Sequence, residues 1–397
     1  MSPDIPREHG AAEARTRVLD SVAEHRGSLI DFADRLHAHP ETAWEEHRAA
    51  AWTAELLAGH GFDVTTEYLG LPTAVYAQWG SGSRRIGLMV EYDALPGLGH
   101  ACGHNLIAAI SVGAALALAE FAAEQDLTVE VYGTPAEEGG GGKIEMLDRG
   151  AFTGLDLALM AHPGPVDSAE AKPYAVSHSH VEYRGRAAHA AAYPEQGINA
   201  NDAFLIAQMA LGLLRQQLPA GTRVHGIQTR GGEAPNAIPE RTEGRWYVRA
   251  ETLENLQGLQ ARVERCFEAG AHATGTELTI TPESKPYSEF RTDERALALY
   301  VAHAESLGRR FDSPAAHATM NRASTDMGNV SQVVPAIHPY IGLGTYPVSN
   351  HQPAFAAHCV GEAAEQAVVD GAAALALTAL DYVGPATTGV EGPPAGT

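Results

Sequence analysis

Cysteine is scarce: Cys102, Cys266 and Cys359 are the only three among 397 residues. So small and odd a count excludes a disulfide framework and reads as a reduced, intracellular chain. Basic charge is short as well. Lys and Arg number 27 against 49 Asp and Glu, a formal net charge of −22. A surface that acidic repels phosphate backbones and anionic lipid, so neither nucleic acid nor membrane is expected as a partner. Long apolar runs are missing too. Leu106 to Leu118 is the longest, is Ala-rich, is broken by Ser111 and Gly113, and is too short to span a bilayer. The opening segment MSPDIPREHGAAEARTR lacks the apolar centre of a signal peptide. A cytoplasmic location is the expectation. The 41 Gly and 23 Pro follow no three-residue period, which excludes collagen. What remains, 45% hydrophobic and 19% charged, is the make-up of a folded chain of about two domains.

Residues 11–60 read as helical, interrupted near Pro40. TAVYAQWG and RRIGLMVEYDALPG read as strands, and the apolar run Ile86–Val90 suits one buried on both faces. LIAAISVGAALALAEFAA is a buried helix; LTVEVYGTPAEEGG and LDLALMAHPG are further apolar strands ending in loops. Strand, loop, helix and strand again predict an α/β domain with a mostly parallel sheet. Ligands gather at the carboxyl ends of such strands, where Asp93, Glu137, Glu138 and His162 all fall. From about Lys172 the pattern changes to alternating strands with two helices, an α+β unit. After Pro286 the α/β pattern returns. The predicted organisation is one α/β domain, residues 1–171 and 287–397, interrupted by an inserted α+β domain, residues 172–286. The tail GPATTGVEGPPAGT is expected to fray.

Most of the 19 histidines call for no special role. His37, His39, His47, His60, His178, His180, His272, His303 and His317 are expected at the surface or as caps. Four segments stand apart. In Gly99-His100-Ala101-Cys102-Gly103-His104-Asn105, Cys102 and His104 can present S and N to one ion, or form a buried thiol beside a capping Asn. The adjacent carboxylates Glu137 and Glu138 are costly unless a cation or proton separates their roles. One can bind metal while the other stays free as a base, or both can be solvated. Gly139–Gly142 after them suggest close backbone approach. His162 and His351 complete the set in two further loops. Together Cys102, His104, Glu138, His162 and His351 suffice for two ions sharing a bridging group.

EYDALPGLGHACGHN, GTPAEEGGGGK, MAHPG, GRAAHAAAYPEQGINA and the late SNH resemble, in order and over nearly the whole chain, the metal-dependent amidohydrolase family of aminoacylases, carboxypeptidase G, auxin-conjugate hydrolases and aminobenzoyl-glutamate hydrolase. The wording EYDALPG…ACGHN looks most like the aminobenzoyl-glutamate and β-alanyl-dipeptide hydrolase branch. The resemblance implies a phosphorylase/hydrolase-like catalytic domain and a ferredoxin-like insert that dimerises and acts as a lid. It implies that Cys102 bridges two divalent metals at a position where many relatives have Asp. His104 would supply the imidazole that other branches place in the preceding strand, where this chain has Glu91. Glu138, His162 and His351 complete the ligands, Glu137 is the general base, and Asp93 orients a ligand. His189 would reach the active site of the neighbouring subunit and stabilise the oxyanion, a contribution of about 3 kcal/mol. Asn236 and Arg249 match positions near a substrate carboxylate or the oxyanion. A thiolate favours zinc, while mixed Cys/His/Glu sites also accept manganese, cobalt or nickel.

Two departures matter. Asn105 stands where the auxin-conjugate branch has Asp, and Ser324-Thr325-Asp326 where it has Glu-Asp-Phe, so that branch's pocket is not expected here. The function implied is hydrolysis of an amide bond in a dipeptide or an N-acyl or N-aroyl amino acid, by a homodimer. Its rivals are an amidase or deacylase of a specialised metabolite, a non-catalytic metal-bound subunit of a hetero-oligomer, and a thiol hydrolase with Cys102 as nucleophile.

Overall fold

The computed structural model describes residues 5–311 and 322–384; His317 and the residues after Gly384 lie outside the described residues. Two helices, α1 (Ile5–Ala38) and α2 (His47–Gly59), precede a six-stranded sheet. Its strands are β1 (Asp63–Thr66), β2 (Val75–Gly80), β3 (Arg84–Glu91), β4 (Leu127–Thr134), β5 (Leu157–Leu159) and β11 (Ala336–Ile337), in spatial order β1-β2-β4-β3-β5-β11. β4, β3, β5 and β11 are parallel to one another, but β2 runs antiparallel to both its neighbours. The sheet is therefore mixed, a refinement of the mostly parallel expectation. Direct passage from β2 to β3 through a short turn at residues 81–83 forces the reversal; a parallel pair needs a long crossover.

Every residue of β4 and the last six of β3 are buried, because helices cover both faces. On one face α1, α2, α3 (His104–Ala119) and α10 (Glu362–Val383) enclose the main core, with Leu29, Ile110, Leu157 and Leu375 fully buried. α10 is long and apolar enough to cross a membrane by composition, and its apolar residues pack against α3 instead. The second face is closed by α4 (Gly142–Asp148), α8 (Met327–Ser331) and the cluster around Tyr132, Phe152 and Met160. A short parallel pair, β6 (His162–Gly164) with β12 (Tyr340–Gly342), extends beyond the end of β5. Helices α7 (Glu294–Ser306) and α9 (Pro353–Ala356) complete this part.

A second, wholly antiparallel sheet has the order β10-β7-β9-β8, built from β7 (Ala175–Arg184), β8 (Arg223–Arg230), β9 (Arg241–Ala250) and β10 (Glu277–Pro282). Helices α5 (Ala200–Leu214) and α6 (Leu253–Thr274) cover one face around a separate core of Tyr183, Phe204, Trp246 and Phe267. The spacing of Leu256, Leu259, Val263 and Phe267 gives α6 its buried stripe. Thr252 caps its start by accepting from the Asn255 amide at 3.2 Å, and Gly275 ends it with φ 74°.

Candidate metal centre

The site lies at the carboxyl ends of β3, β4 and β5, at the start of α3, and in the loop before α9. Its main donors form two groups whose ligand atoms lie within 4.8 Å of one another: Cys102, His104 and His162, and Cys102, Glu138 and His351. Cys102 is common to both. Its Sγ is 3.6 Å from His162 Nε2, and His351 Nε2 is 3.1 Å from Glu138 Oε1. A third group joins Glu91, His104 and Glu137.

Neighbouring groups orient these side chains. His104 Nδ1 faces the Asp93 carbonyl at 2.9 Å and Asp93 Oδ1 at 3.1 Å. Both are acceptors, so Nδ1 carries a hydrogen and Nε2 is the nitrogen left for an ion once its own proton is displaced. That Nε2 is buried with no hydrogen-bond partner among the described residues. Asp93 Oδ2 accepts from the Glu138 amide at 2.9 Å, so one carboxylate sets both a ligand and the loop beside it. His162 Nδ1 donates to the Pro163 carbonyl at 2.8 Å, which turns Nε2 toward Cys102. Burial, followed by His338 and His104, pushes His162 down to about 3, leaving it neutral. Burial and the Glu138 carboxylate drive the Cys102 thiol well above its ordinary value. Although burial opposes it, Cys102 and Asp93 raise His104 well above its own. A cation entering here must displace protons from S and N, as metal binding to such donors does. An uncompensated buried N, S and carboxylate set of this kind fits divalent metal.

The Glu137–Glu138 loop is held under strain. Ala136, at its start, is left-handed with φ 56°, as is His351, with φ 66°, in the separate loop before α9. Buried Glu46 accepts from the Ala136 amide at 2.8 Å and from Thr73 Oγ1 at 2.9 Å, and Tyr287 Oη donates to the Glu137 carbonyl at 2.8 Å. Burial and the Asp93 charge lift Glu46 to about 7. The close approach expected of the glycines is internal. A Cβ on Gly140 would meet Trp44 Nε1 at 2.6 Å, and one on Gly142 the Pro135 carbonyl at 1.9 Å. Burial and the Glu91 and Glu138 charges raise Glu137 well above the carboxylate range. For Glu138, burial pushes upward, but the hydrogen bond and charge of His351, with His104 and Cys102, together outweigh burial and lower it.

A cavity of about 370 Å³ opens above these groups, within the range of small-molecule sites. The second sheet forms its far wall with His178, Tyr247, Arg245 and Arg249. His178, expected at the surface, is buried against Tyr247 because β7 turns that face to the cavity. Arg245 is paired with Glu283 at 2.5 and 2.8 Å. Arg249 has no carboxylate partner among the described residues. It donates to Ser324 Oγ at 2.7 Å and to His225 Nε2 at 3.3 Å. His189 and Asn236 do not line this cavity. They sit exposed beside each other, joined where the Ala190 amide donates to the Asn236 carbonyl at 3.0 Å. Asn105 donates to the carbonyls of Ala33 and Cys359 at 3.3 and 2.9 Å, tying α3 to α1 and to the turn after α9.

Sequence reasoning missed several groups here. His338, fully buried, lies with its ring 5.4 Å from those of His162 and Tyr340, and burial lowers it to about 4. Lys143 is buried between Glu91 Oε1 at 2.5 Å and Asp326 Oδ1 at 2.7 Å. Burying three charges costs several kcal/mol per ion unless each is paired, and here each is. The pairing of carboxylate with Lys could not be read from residues so far apart in the chain.

This fold and donor set define a metal-dependent amidohydrolase or peptidase. The chain belongs to the peptidase family M20/M25/M40, whose profile matches residues 87–381. It is 40% identical over 390 residues to the Xaa-Arg dipeptidase of Mus musculus, covering 92% of this chain and 87% of that one. It is 33% identical over 307 residues to a subunit of the p-aminobenzoyl-glutamate hydrolase of Escherichia coli (strain K12), covering 72% and 64%. The fold is similar to that of the Bacillus subtilis YXEP protein, a dinuclear metal-binding peptidase of the M20 family, with a TM-score of 0.64 at 21% identity over 89% of this chain and 98% of that one.

Proposed function

We propose that this chain hydrolyses the amide bond of a dipeptide, or of an N-acyl or N-aroyl amino acid, with two divalent ions held by Cys102, His104 and His162 and by Cys102, Glu138 and His351. The observation that carries the reading is the sharing of buried Cys102 by two donor groups, one wholly buried and one reaching the surface at His351, directly beside Glu137. Zinc suits the thiolate, with manganese, cobalt and nickel as alternatives. The ions would acidify water and polarise the scissile carbonyl. Glu137, on the cavity wall, takes a proton from the attacking water and passes it to the leaving nitrogen. Asp93 keeps His104 in its ligating tautomer. Arg249, a cation without a carboxylate of its own, receives the substrate carboxylate across the cavity. The similarity to Xaa-Arg dipeptidases favours a dipeptide among these substrates. Purified protein should carry about two ions per chain by elemental analysis and cleave dipeptides. Chelation should abolish turnover, and zinc, manganese or cobalt should restore it. Activity indifferent to chelator would refute the assignment.

The reading extends to a cytoplasmic homodimer formed through residues 172–286. Leu205, Met209 and Leu213, one face of α5 at i, i+4 and i+8, are 52%, 70% and 72% exposed, and Ile227 on the edge strand β8 is 64% exposed. An apolar stripe beside an unpaired edge suits pairing with a second copy. His189, exposed and away from its own cavity, would then serve the partner's site. Met209→Glu with Leu213→Glu should convert a two-chain particle to single chains in analytical ultracentrifugation and lower turnover by about 10²-fold or more, the scale of losing an oxyanion donor. The E. coli relative is called a subunit, so native mass spectrometry should also be read for a requirement for a second kind of chain.

A further inference from the structure

We infer that Glu91 is a further metal-facing donor, a sixth protein ligand to the centre, held in place by Lys143. The inference rests on the dinuclear reading above and adds to it a residue that neither of the two Cys102-containing groups includes.

The geometry is specific. Glu91 Oε2 is 3.5 Å from His104 Nε2, the atom that has no hydrogen-bond partner among the described residues. Two N/O donors each about 2.1 Å from one ion stand roughly 3.0–3.4 Å apart. The present separation is that of two atoms facing one small cation, slightly relaxed. The other oxygen, Oε1, is 2.5 Å from Lys143 Nζ, which is anchored in turn by Asp326 Oδ1 at 2.7 Å. The Lys143 amide also donates to Asp326 Oδ2, at 2.8 Å. One carboxylate oxygen is thus tethered and the other is left toward His104. Ligating carboxylates are commonly fixed by such outer partners, and losing a partner weakens metal binding 10–100-fold.

Glu91 and Glu137 belong to the same third group, yet their positions assign them different work. Glu91 is fully buried at the end of β3 and does not line the cavity, so it can reach neither substrate nor an incoming water. Glu137 does line the cavity, and its Oε2 is farther from His104 Nε2, at 3.8 Å. A buried carboxylate with one oxygen spent on Lys143 is suited to holding an ion, and an accessible one to moving a proton.

Glu91→Gln tests the inference and leaves Lys143 still paired with Asp326. The expected result is 10–100-fold weaker binding of one of the two ions in competition with a chromophoric chelator. Metal content should fall toward one ion per chain after dialysis, and the visible spectrum of the cobalt-loaded protein should change. Glu91→Asp keeps the charge beside Lys143 and withdraws the oxygens by one methylene, so it guards against a folding failure of the first variant; its binding should also weaken. Wild-type affinity, metal content and cobalt spectrum in both variants would overturn the inference while leaving the two Cys102 groups standing. A wild-type protein that binds no divalent metal would overturn the dinuclear reading and this inference together.

Discussion

Replacing Glu137 with Gln is expected to reduce turnover by about 10³-fold while leaving the bound metal in place. General acid–base catalysis by one positioned side chain contributes about 10²–10⁴-fold, and here the same group would act twice, on the water and on the leaving nitrogen. The amide preserves the shape of the side chain and its place on the cavity wall. The loop geometry does not depend on the carboxylate, because the braces on it are the Glu46 contact to the Ala136 amide and the Tyr287 contact to the Glu137 carbonyl. Metal content should hold because both Cys102-containing groups exclude Glu137. The pH profile supplies a second readout. Burial and the Glu91 and Glu138 charges favour the protonated form of Glu137, whereas a base must be ionised to act. Wild-type activity should therefore fall as pH drops through the Glu137 pKa, and the residual activity of the variant should lack that limb. Elemental analysis and a pH series on both proteins decide it. Full activity in the variant would remove Glu137 from the mechanism, and a loss of metal would make it a ligand through its group with Glu91 and His104.

The strands that carry the site were legible because each buried strand announces itself. Ile86–Val90 and the apolar run of β4 end abruptly at Glu91 and Thr134, and the polar residues beyond them had to fall at a sheet edge. β1 was not legible: Asp63–Thr66 is four residues long and mostly exposed, with no apolar alternation to mark it. The donors Cys102, His104, Glu138, His162 and His351 were legible as types in loops, and the resemblance placed them together. His178 and His338 were not: His178 owes its place in the cavity wall to which face of β7 turns inward, and His338 to the link between β11 and β12 that carries it there, both tertiary facts. Lys143 follows four glycines and looks solvated in sequence; only the fold shows it fully buried against two carboxylates. The stripe Leu205, Met209, Leu213 exposes the opposite limit. Its helical period marks an apolar face without saying whether the chain itself or a second copy covers it.

Cys102→Ala is expected to have the broadest effect of any single substitution at the centre, because it removes the one donor shared by both groups. Each group keeps two donors, His104 with His162 and Glu138 with His351. Losing an outer partner of a ligand already weakens metal binding 10–100-fold, so losing a thiolate common to two sites should exceed about 10²-fold for each ion. At ordinary free-metal levels the content should fall well below two ions per chain, and turnover should drop by at least about 10³-fold. The same substitution would abolish a thiol hydrolase, so Cys102→Asp is the discriminating companion. An aspartate offers two oxygens that can bridge and cannot serve as a thiol nucleophile. Retention of metal and of part of the activity in Cys102→Asp would identify Cys102 as a ligand. The microenvironment points the same way. Reactive cysteines need a depressed pKa, whereas burial and the Glu138 charge hold Cys102 as a thiol until a cation arrives. Unchanged metal content in Cys102→Ala would break the shared-donor arrangement. Chelator-resistant wild-type turnover that Cys102→Asp abolishes would instead make the thiol the nucleophile.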